Sequence, residues 1–359
     1  MKLLITVKSL TDGGAERVAS LWANGFVERG HDVIIVNNTN KLGSYNIDNR
    51  IILHNLHSKS RSFVLSHIQY IINLRKLIRE YRPNVIINVL NPGAVYDFIA
   101  SLGLGIPIIN TEHNAFERPD NAPLTKIESF CKMHFNSILN KVTVLTHADK
   151  RIVDNRLNNV VVLPNPCTFA PQLMVPEKEK TIFAVGRLDE WKVKGFDLLI
   201  DAWSKISPIY PEWKLNIMGS SFTDGKKYLS SLVDIANLSN SVSFIDYNSD
   251  IISEYQRASI FVLSSRYEGF GMVLLEAMSQ GCACIACDYK GRQREILGES
   301  QYGLVCDTDD STMLANHISS LISNDNLRQE LQVKAIHRSK DYSIKIIMDK
   351  WDAILTSII

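Results

Sequence analysis

The sequence predicts an α/β protein built from two doubly wound domains, each a parallel sheet covered by helices on both faces. Short apolar runs alternate with helix-length amphipathic segments, the alternation restarts after mid-chain, and Pro164-Asn165-Pro166 separates the two cycles. Alternation of this kind is typical of parallel sheets that are buried on both sides. The 359 residues are enough for two domains of ordinary size.

Apolar runs place the strands and amphipathic segments place the helices. In the first cycle the predicted strands are 3–7, 32–36, 51–53, 84–88, 107–110, 141–145 and 160–163. The predicted helices between them are 15–29, 63–81, 94–102, 124–136 and 147–155. In the second cycle the predicted strands are 181–185, 214–218, 242–245, 260–263, 283–286 and 303–305.

The domain boundary is expected at the two prolines, which exclude a helix and remove ladder donors. We therefore expect an N-terminal domain of residues 1–165 and a C-terminal domain of residues 166–343. The final helix, 344–357, lies beyond the last strand of the second cycle. It is expected to pack back on the first domain, so that 344–359 completes it.

Composition favours a soluble globular protein, since 45% of residues are hydrophobic and 21% are charged. The first apolar run is too short for a signal peptide, and no run approaches the roughly 18 apolar residues that span a bilayer. We expect a cytoplasmic protein whose six cysteines are reduced thiols. Cys282, Cys284 and Cys287 alternate along an apolar strand and are interpreted as small buried hydrophobes, not as zinc ligands.

The net charge of +1 conceals an asymmetry between the two halves. Residues 1–165 carry 19 Lys and Arg against 13 Asp and Glu, whereas the remainder carry 20 against 25. A basic N-terminal half and an acidic C-terminal half indicate different partners. The basic half suits an anionic acceptor or an anionic membrane surface.

Ligands of doubly wound sheets bind at the carboxyl ends of the strands, so two facing sheets predict a site between the domains. The most informative loop follows the apolar strand 260–263 and contains Glu268, Gly269 and Gly271, with Glu276 in the helix after it. Glycines let the backbone approach a ligand, and the N-terminus of a helix attracts an anion. Carboxylates beside that anion accept hydrogen bonds from hydroxyls. The loop therefore predicts a site for a phosphorylated sugar.

Other strand ends carry further candidates. Arg187, directly after the strand 181–185, is suited to fork onto phosphate oxygens, and a lysine of the same loop supplies a mobile cation. The alternative is a solvated basic loop, which is the favoured interpretation for Lys192 and not for Arg187. His113 follows the strand 107–110, where a structural role and a role as hydroxyl partner, acid or base stay open. Gly13-Gly14 opens a helix within the loop 8–17, as either a phosphate site or a plain tight turn.

Two patterns have competing interpretations. Asp307-Thr308-Asp309 resembles a metal-binding motif but precedes a helix at 313–322, and a helix start is the favoured interpretation. The segments 63–82 and 124–139 are amphipathic and carry several cations, among them Lys76, Arg79 and Lys132. Such helices lie on anionic membranes or are ordinary domain helices.

Assembled, these loops resemble those of glycosyltransferase family 4, the retaining nucleotide-sugar enzymes of GT-B fold. The resemblance covers nearly the whole chain, and its most specific element is the E-x7-E signature formed by Glu268 and Glu276. Supporting matches occur in the right order along the chain: Gly13-Gly14-Ala15-Glu16-Arg17, Glu112-His113, Pro164-Asn165-Pro166, Gly186-Arg187, Lys194-Gly195 and Tyr302-Gly303-Leu304-Val305. The resemblance implies two Rossmann-like domains that face an interdomain cleft.

The resemblance also implies roles for individual residues. Arg187 and Lys194 would hold the donor diphosphate, Glu268 would contact the donor hexose, and His113 would contact the transferred sugar near the reacting carbon. These four form the predicted catalytic set. Further donor contacts are implied for Gly14, Glu276 and the backbone of Phe270, Gly271 and Met272.

The chain departs from the family pattern in two places. Lys194 lies seven residues after Arg187 and Lys192 lies five after it, whereas the family spacing is five or six, so the lysine assignment stays open. Arg294 replaces the usual proline before Glu295.

The implied reaction is retaining, metal-independent transfer of a hexose or N-acetylhexosamine from a nucleoside-diphosphate sugar, with a uridine base, to a glycan or lipid-linked acceptor. No cofactor and no nucleic-acid partner is expected, and the departing phosphate would act as the base. Peripheral contact with the inner face of the cell membrane is expected through the basic domain. The alternatives are a GT-B phosphorylase or epimerase, and a non-catalytic nucleotide-sugar-binding protein.

Overall fold

The protein was analysed as a computed structural model that describes residues 1–11, 13–39, 45–57, 62–90, 93–119, 123–247 and 250–358. Asp12 of the glycine-containing first loop lies outside these ranges. Chain contacts divide the protein into unit 1, Met1–Pro166 with Ile344–Ile359, and unit 2, Cys167–Ser343.

The strands, within the described ranges, are β1 (Lys2–Val7), β2 (Asp32–Asn37), β3 (Ile52–Asn55), β4 (Val85–Val89), β5 (Ile108–Thr111), β6 (Lys141–Val144), β7 (Val160–Val162), β8 (Glu179–Val185), β9 (Lys214–Met218), β10 (Val242–Ile245), β11 (Ala258–Leu263), β12 (Ala283–Asp288) and β13 (Leu304–Asp307).

The helices are α1 (Gly14–Glu28), α2 (Phe63–Tyr81), α3 (Gly93–Ser101), α4 (Lys126–Met133), α5 (His147–Val153), α6 (Trp191–Lys194), α7 (Phe196–Ile206), α8 (Gly225–Ile235), α9 (Ile251–Arg257), α10 (Met272–Ser279), α11 (Arg292–Ile296), α12 (Ser311–Ser323), α13 (Asp325–Ser339) and α14 (Ile344–Thr356). Short 3₁₀ turns occur at Phe135–Ile138, Leu188–Glu190, Ser207–Ile209 and Lys340–Tyr342.

Each unit contains one parallel sheet, so the predicted pair of doubly wound α/β domains is confirmed. In unit 1 the strand order is β3-β2-β1-β4-β5-β6-β7, and in unit 2 it is β10-β9-β8-β11-β12-β13. Central strands such as β4 and β11 are buried at every position, because helices cover both faces. In both sheets the strand order reverses at one point, between β1 and β4 and between β8 and β11. Open α/β sheets bind ligands beside such switch points, at the carboxyl ends of the strands.

The last helix, α14, belongs to unit 1, where it packs on α1. The ring of Trp351 lies 5.1 Å from that of Trp22 and 5.4 Å from that of Phe26. Arg29 at the end of α1 forms ion pairs with Asp349 and Asp352. The three rings are buried, so this contact extends the core of unit 1.

The predicted helix 124–136 is wrong in both its bounds. Thr125 and Glu128 form a capping box, which starts α4 at Lys126. His134 leaves helical geometry, and the chain continues as the separate 3₁₀ turn Phe135–Ile138. Lys132 is also not on an exposed basic face as expected. It is buried in an ion pair with Glu112, with 3.1 Å between Nζ and Oε2.

The six cysteines are free and buried, as expected for small hydrophobes. Cys287 and Cys306 lie opposite each other on β12 and β13, and burial raises the pKa of the Cys282 thiol to about 11. Among the described residues, no helix combines the length and apolarity needed to cross a bilayer.

Candidate active site

The two loops that flank the switch point of unit 2 are locked together by backbone geometry. The helix α6 ends at Gly195, which has φ 64°, and a Cβ there would lie 1.9 Å from the carbonyl oxygen of Ser264. Only glycine fits this approach without displacement. The Ser264 hydroxyl donates to the carbonyl of Lys194 at 2.9 Å. The loop after β8 and the loop after β11 therefore hold each other in register.

This contact places Lys194 beside Glu268. The ammonium donates to Oε1 of Glu268 at 2.8 Å, and the Ser265 hydroxyl donates to the same oxygen at 2.9 Å. Burial lowers the pKa of Lys194, but the charge and hydrogen bond of Glu268 outweigh it, so that the pKa is raised. Lys194 is therefore a cation at neutral pH. Lys192 is exposed, so of the two lysines only Lys194 is brought to Glu268.

Arg187 lies at the edge of the same cluster. Its side chain is 63% exposed and pairs with Glu190, with 3.0 Å between Nη1 and Oε1. The negative charge of Glu190 raises the pKa of Lys194, and the positive charge of Arg187 lowers it. A guanidinium that is this exposed, and that pairs with a neighbour three residues along the chain, is able to turn onto an anion.

The loop after β11 leads into α10 through Gly271, whose φ is 88°. The Phe270 side chain is buried, and Gln293 donates to its carbonyl at 3.4 Å. The side chain of Phe270 is therefore committed to the core, and its backbone is what a ligand would meet. The N-terminus of α10 presents backbone N–H groups at this loop, an arrangement that favours anions.

Glu276 lies on α10 but is only 3% exposed. The Tyr255 hydroxyl donates to its Oε2 at 3.0 Å. Tyr255 is itself buried among Phe183 and Phe261, with ring centroids 5.3 and 5.7 Å away. The structure thus holds one oxygen of Glu276 in a fixed orientation, a contact that the sequence did not signal because Tyr255 lies 21 residues earlier.

Neighbouring charges rigidify the loop. Arg266 binds both carboxylate oxygens of Asp197, at 2.7 and 3.0 Å, and also pairs with Asp309. Asp310 accepts from the backbone of Met313 at 2.8 Å and caps α12. A helix does follow the Asp307-Thr308-Asp309 run, but it starts at Ser311 and its cap is Asp310, outside the run. Asp309 is instead tied to the loop that carries Glu268.

Sequence reasoning missed Asp189, which anchors the adjacent loop 221–225. Its carboxylate accepts hydrogen bonds from the backbone of Phe222, Thr223 and Gly225 and from the hydroxyls of Ser221 and Thr223. The hydrogen bond from the Phe222 backbone, followed by that from the Thr223 hydroxyl, holds the pKa of Asp189 well below its usual range. An aspartate two residues after Arg187 is an ordinary surface pattern, so only the fold shows this role.

Arg294, where the family has a proline, takes part in the turn after β12. Its backbone N–H donates to Oδ1 of Asp288 at 2.9 Å, and Gly291 donates to Oδ2 at 2.8 Å. Proline has no N–H and would lose the first of these bonds. Glu295 lies in the short helix α11.

In unit 1, His113 follows β5 and its ring packs 5.2 Å from that of Trp22 on α1. The Thr111 hydroxyl donates its single proton to the carbonyl of Asn88 at 2.8 Å, so it must accept from Nε2 of His113, 3.0 Å away. This fixes the tautomer with the proton on Nε2. Burial lowers the pKa of His113 to about 4, which the neighbouring Asn165 only partly offsets.

Among the residues that the structure describes, the Nδ1 atom of His113 makes no hydrogen bond of normal geometry, although the side chain of Asn165 lies beside the ring. The lone pair on Nδ1 of a neutral imidazole accepts a hydrogen bond from a hydroxyl group, and the low pKa of His113 makes it a weak base at pH 7. Gly14, the other predicted site residue of unit 1, is the first residue of α1. The preceding Gly13 bonds to the Tyr45 hydroxyl through both its N–H and its carbonyl, at 3.0 and 2.8 Å.

A second polar cluster lies at the switch point of unit 1. The Thr6 hydroxyl on β1 donates to Oδ2 of Asp97 at 2.6 Å and accepts from the Asn88 amide on β4 at 3.1 Å. Burial raises the pKa of Asp97 to about 7. This carboxyl group is thus largely protonated below neutral pH.

Comparisons with known proteins match both halves of the chain to glycosyltransferase family models. Residues 168–338 match the family model described as glycosyl transferases group 1, and residues 12–168 match that of glycosyltransferase family 4. The chain is 28% identical to the amylovoran biosynthesis glycosyltransferase AmsD of Erwinia amylovora, with 99% of each chain covered.

Two further proteins match over nearly their whole length. A Campylobacter jejuni α-1,4-N-acetyl-D-galactosaminyltransferase, named for a diphospho-undecaprenol-linked acceptor, is 26% identical over 100% of this chain and 99% of its own. The structure of Anabaena HepE in complex with UDP has a TM-score of 0.85 at 19% identity, covering 99% of this chain and 100% of that one. The chain is therefore a glycosyltransferase of GT-B fold and of the family 4 type.

Proposed function

We propose that this enzyme transfers a hexose or an N-acetylhexosamine from a UDP-sugar to a glycan or lipid-linked acceptor, with retention of the anomeric configuration. The observation that carries the proposal is the Lys194–Glu268 pair at the switch point of unit 2, beside Arg187 and the N-terminus of α10. Cations and helix N–H groups next to a carboxylate suit a ligand that joins a diphosphate to a sugar.

The main barrier of such a transfer is the separation of an oxocarbenium-like sugar from its diphosphate. In the proposal, Arg187, Lys194 and the start of α10 stabilise the negative charge that develops on the leaving group. One preorganised donor of this kind typically contributes about 3–4 kcal/mol. These groups supply the charge stabilisation without a metal ion, so we propose metal-independent transfer.

The glutamates are proposed to bind the donor and not to act as nucleophiles. Glu268, anchored by Lys194 and Ser265, would accept hydrogen bonds from the hexose hydroxyls. Glu276 would accept from the ribose hydroxyls while Tyr255 fixes its other oxygen. The backbone at Phe270, Gly271 and Met272 would donate to sugar and phosphate.

His113 is proposed to contact a hydroxyl of the transferred sugar through Nδ1, with Gly14 as a further contact in unit 1. Its pKa of about 4 supports a neutral acceptor and not a general base at pH 7. We therefore propose that the departing phosphate removes the proton from the acceptor hydroxyl, as in the front-face mechanism that the family resemblance implies.

The proposed acceptor is a polyprenyl-diphosphate-linked or other membrane-bound glycan of a cell-surface polysaccharide. A relative matched over its whole length is named for such an acceptor, and AmsD is named for amylovoran biosynthesis. We accordingly propose peripheral binding at the inner face of the cell membrane.

The proposal is tested by assaying purified enzyme with a panel of UDP-sugars and lipid-linked acceptors. The anomeric proton of the first product, followed by NMR, should show the donor configuration. Arg187→Ala and Glu276→Ala should each lower kcat/KM by at least about tenfold, whereas Lys192→Ala should resemble the wild type. Near-wild-type rates in both site variants would refute the site, an inverted product would refute retention, and loss of activity in excess chelator would refute metal independence.

A further inference from the structure

One face of unit 1 is covered by helices that expose large apolar side chains. Leu4, Ile86 and Ile108 lie side by side on this face of the sheet, in register across β1, β4 and β5. The helices α2 and α3 pack on them in one buried cluster, and the 3₁₀ turn Phe135–Ile138 contacts the cluster through Phe135.

The same layer continues to α4. The strand register places Val142 on the face of Ile108, and Met133 of α4 packs on the cluster that contains Val142. Ring contacts join neighbouring helices, with Tyr70 5.8 Å from Tyr96 and Phe98 5.6 Å from Phe135. We call α2, α3, α4 and this 3₁₀ turn the outer helical layer.

Each helix of the layer carries apolar side chains on its solvent side. Val64, Ile68 and Ile72 follow one another at four-residue spacing along α2 and form a ridge that is 48–62% exposed. Ile127 and Phe130 on α4 are 70% and 59% exposed, and Leu102 at the end of α3 is 51% exposed. Exposed apolar groups distributed over one layer indicate an interaction surface.

Cations border the ridge. Lys76 continues it four residues after Ile72, and Arg79 follows on the next turn, both exposed. Lys126 is exposed at the start of α4, whereas the carboxylate of Glu128 is occupied by the capping box. Glu80, four residues after Lys76, is the exposed acid of α2. A helix with an apolar face flanked by Lys and Arg is suited to the interface of an anionic bilayer.

We propose that the outer helical layer docks unit 1 on an anionic phospholipid bilayer, with the Val64–Ile68–Ile72 ridge inserted at the headgroup boundary. Docking on a bilayer would bring the enzyme to the lipid-linked acceptor of the proposed function. The docking proposal rests on that function only for the reason why the enzyme would bind a membrane. Arg75 supports the layer, since it donates to the carbonyls of Ala100 and Leu102 at 2.8 and 2.9 Å. The buried Lys132 does not contribute a cation to this surface.

The test is co-sedimentation of the full-length protein with vesicles of phosphatidylcholine, with and without phosphatidylglycerol. Wild type should bind the anionic vesicles, and the double variant Ile68→Glu/Ile72→Glu should bind at least about tenfold more weakly. The double variant Lys76→Gln/Arg79→Gln should lose most of the preference for anionic lipid. Ile235→Glu, at a 77% exposed position of unit 2, is the matched control and should bind as wild type does.

Circular dichroism and thermal melting establish that each variant is folded. Equal vesicle binding by Ile68→Glu/Ile72→Glu and wild type would overturn the proposal. A second result would also overturn it: wild type binds no vesicles and is a dimer in sedimentation velocity, whereas Ile68→Glu/Ile72→Glu is a monomer. The outer helical layer would then join two copies of the chain. Transfer to a detergent-dispersed acceptor should be unchanged in the double variant. Docking without any transferase activity would refute the proposed function and leave the docking surface intact.

Discussion

The polar side chains beside the switch points of the two units differ in ionisation: those of unit 2 are charged, whereas those of unit 1 are neutral. In unit 2, a hydrogen-bonded carboxylate raises the pKa of Lys194, and backbone N–H groups lower that of Asp189, so both are ionised. In unit 1, burial lowers the pKa of His113 and raises that of Asp97, so both are neutral near pH 6. A charged surface suits a diphosphate, whereas neutral groups suit the hydroxyls of a sugar.

The buried ion pair of Glu112 and Lys132 is the exception to the neutral polar groups of unit 1. Breaking this pair gives the largest change that we predict. Lys132→Met should lower the free energy of unfolding by about 3–5 kcal/mol, because it leaves Glu112 buried without its cation. Urea denaturation measures this change. Lys126→Met, at an exposed position of the same helix, is the control and should change little. A similar small loss in both variants would show that Lys132 is not a buried partner.

The charged site of unit 2 predicts a loss of catalysis without a loss of folding. Lys194→Ala should lower kcat by about 10²–10³-fold, the effect of about 3–4 kcal/mol in transition-state stabilisation. The Lys192→Ala enzyme is the comparison, since that side chain is exposed two residues away. Steady-state kinetics with a saturating donor decide between the lysines. A larger loss in Lys192→Ala would reverse the assignment.

Asp97 tests the neutral state in unit 1. Its pKa is about 7 in the folded protein, against 3.8 for an unperturbed aspartate, so between these values the native state binds the extra proton. Wild-type stability should therefore fall as pH rises, by about 1.4 kcal/mol per pH unit for this group. The Asp97→Asn variant lacks this pH-dependent contribution to stability.

The difference in unfolding free energy between Asp97→Asn and wild type should accordingly rise by about 2.3 kcal/mol from pH 5 to pH 7, because the carboxyl group is already half ionised at pH 7. His113 contributes with the opposite sign, because its lowered pKa makes stability rise with pH between about 4 and 6.5. That contribution is common to both proteins and cancels in the difference. A difference that does not change with pH would mean that Asp97 is ionised throughout.

The smallest expected effect is at Tyr255. Tyr255→Phe removes the hydroxyl that donates to Glu276 and should raise the donor KM by about tenfold, equivalent to about 1.5 kcal/mol. This free energy is at the lower end of the range for a hydrogen bond to a charged group, because Glu276 keeps a further interaction when the Tyr255 hydroxyl is removed. The kcat should change less than KM. An unchanged KM would mean that the orientation of Glu276 does not affect donor binding.

The fold was predictable because local and tertiary forces agree in the strands. Each predicted strand corresponds to an observed one, since a parallel sheet buried on both faces requires unbroken apolar runs. The end of α4 was not predictable from periodicity, because apolar residues continue through Phe135 and Ile138 after the helix stops at Met133. The capping box at Thr125 and Glu128 was readable in the sequence and would have corrected its start.

The clustering of the candidate site residues was predictable where loop position determined it and not where long-range packing did. Glu268, Arg187 and Lys194 follow strand ends, so the switch-point rule brings them together. The burial of Lys132 depends on Glu112, 20 residues earlier, and the orientation of Glu276 depends on Tyr255. No pattern within a short window encodes such pairs. The sequence alone did not show which lysine lies beside Glu268. The close contact of Gly195 with Ser264 shows that it is Lys194 and not Lys192.

The most direct test of the account is the thermal stabilisation of the enzyme by UDP, measured for wild type, Lys194→Ala and His113→Ala. At a hundredfold excess over the dissociation constant, UDP should stabilise wild type by about 2.7 kcal/mol. The same UDP concentration should stabilise His113→Ala almost as much and Lys194→Ala far less, because the diphosphate is held by charges of unit 2. Equal stabilisation of wild type and Lys194→Ala, or its loss in His113→Ala alone, would contradict the account.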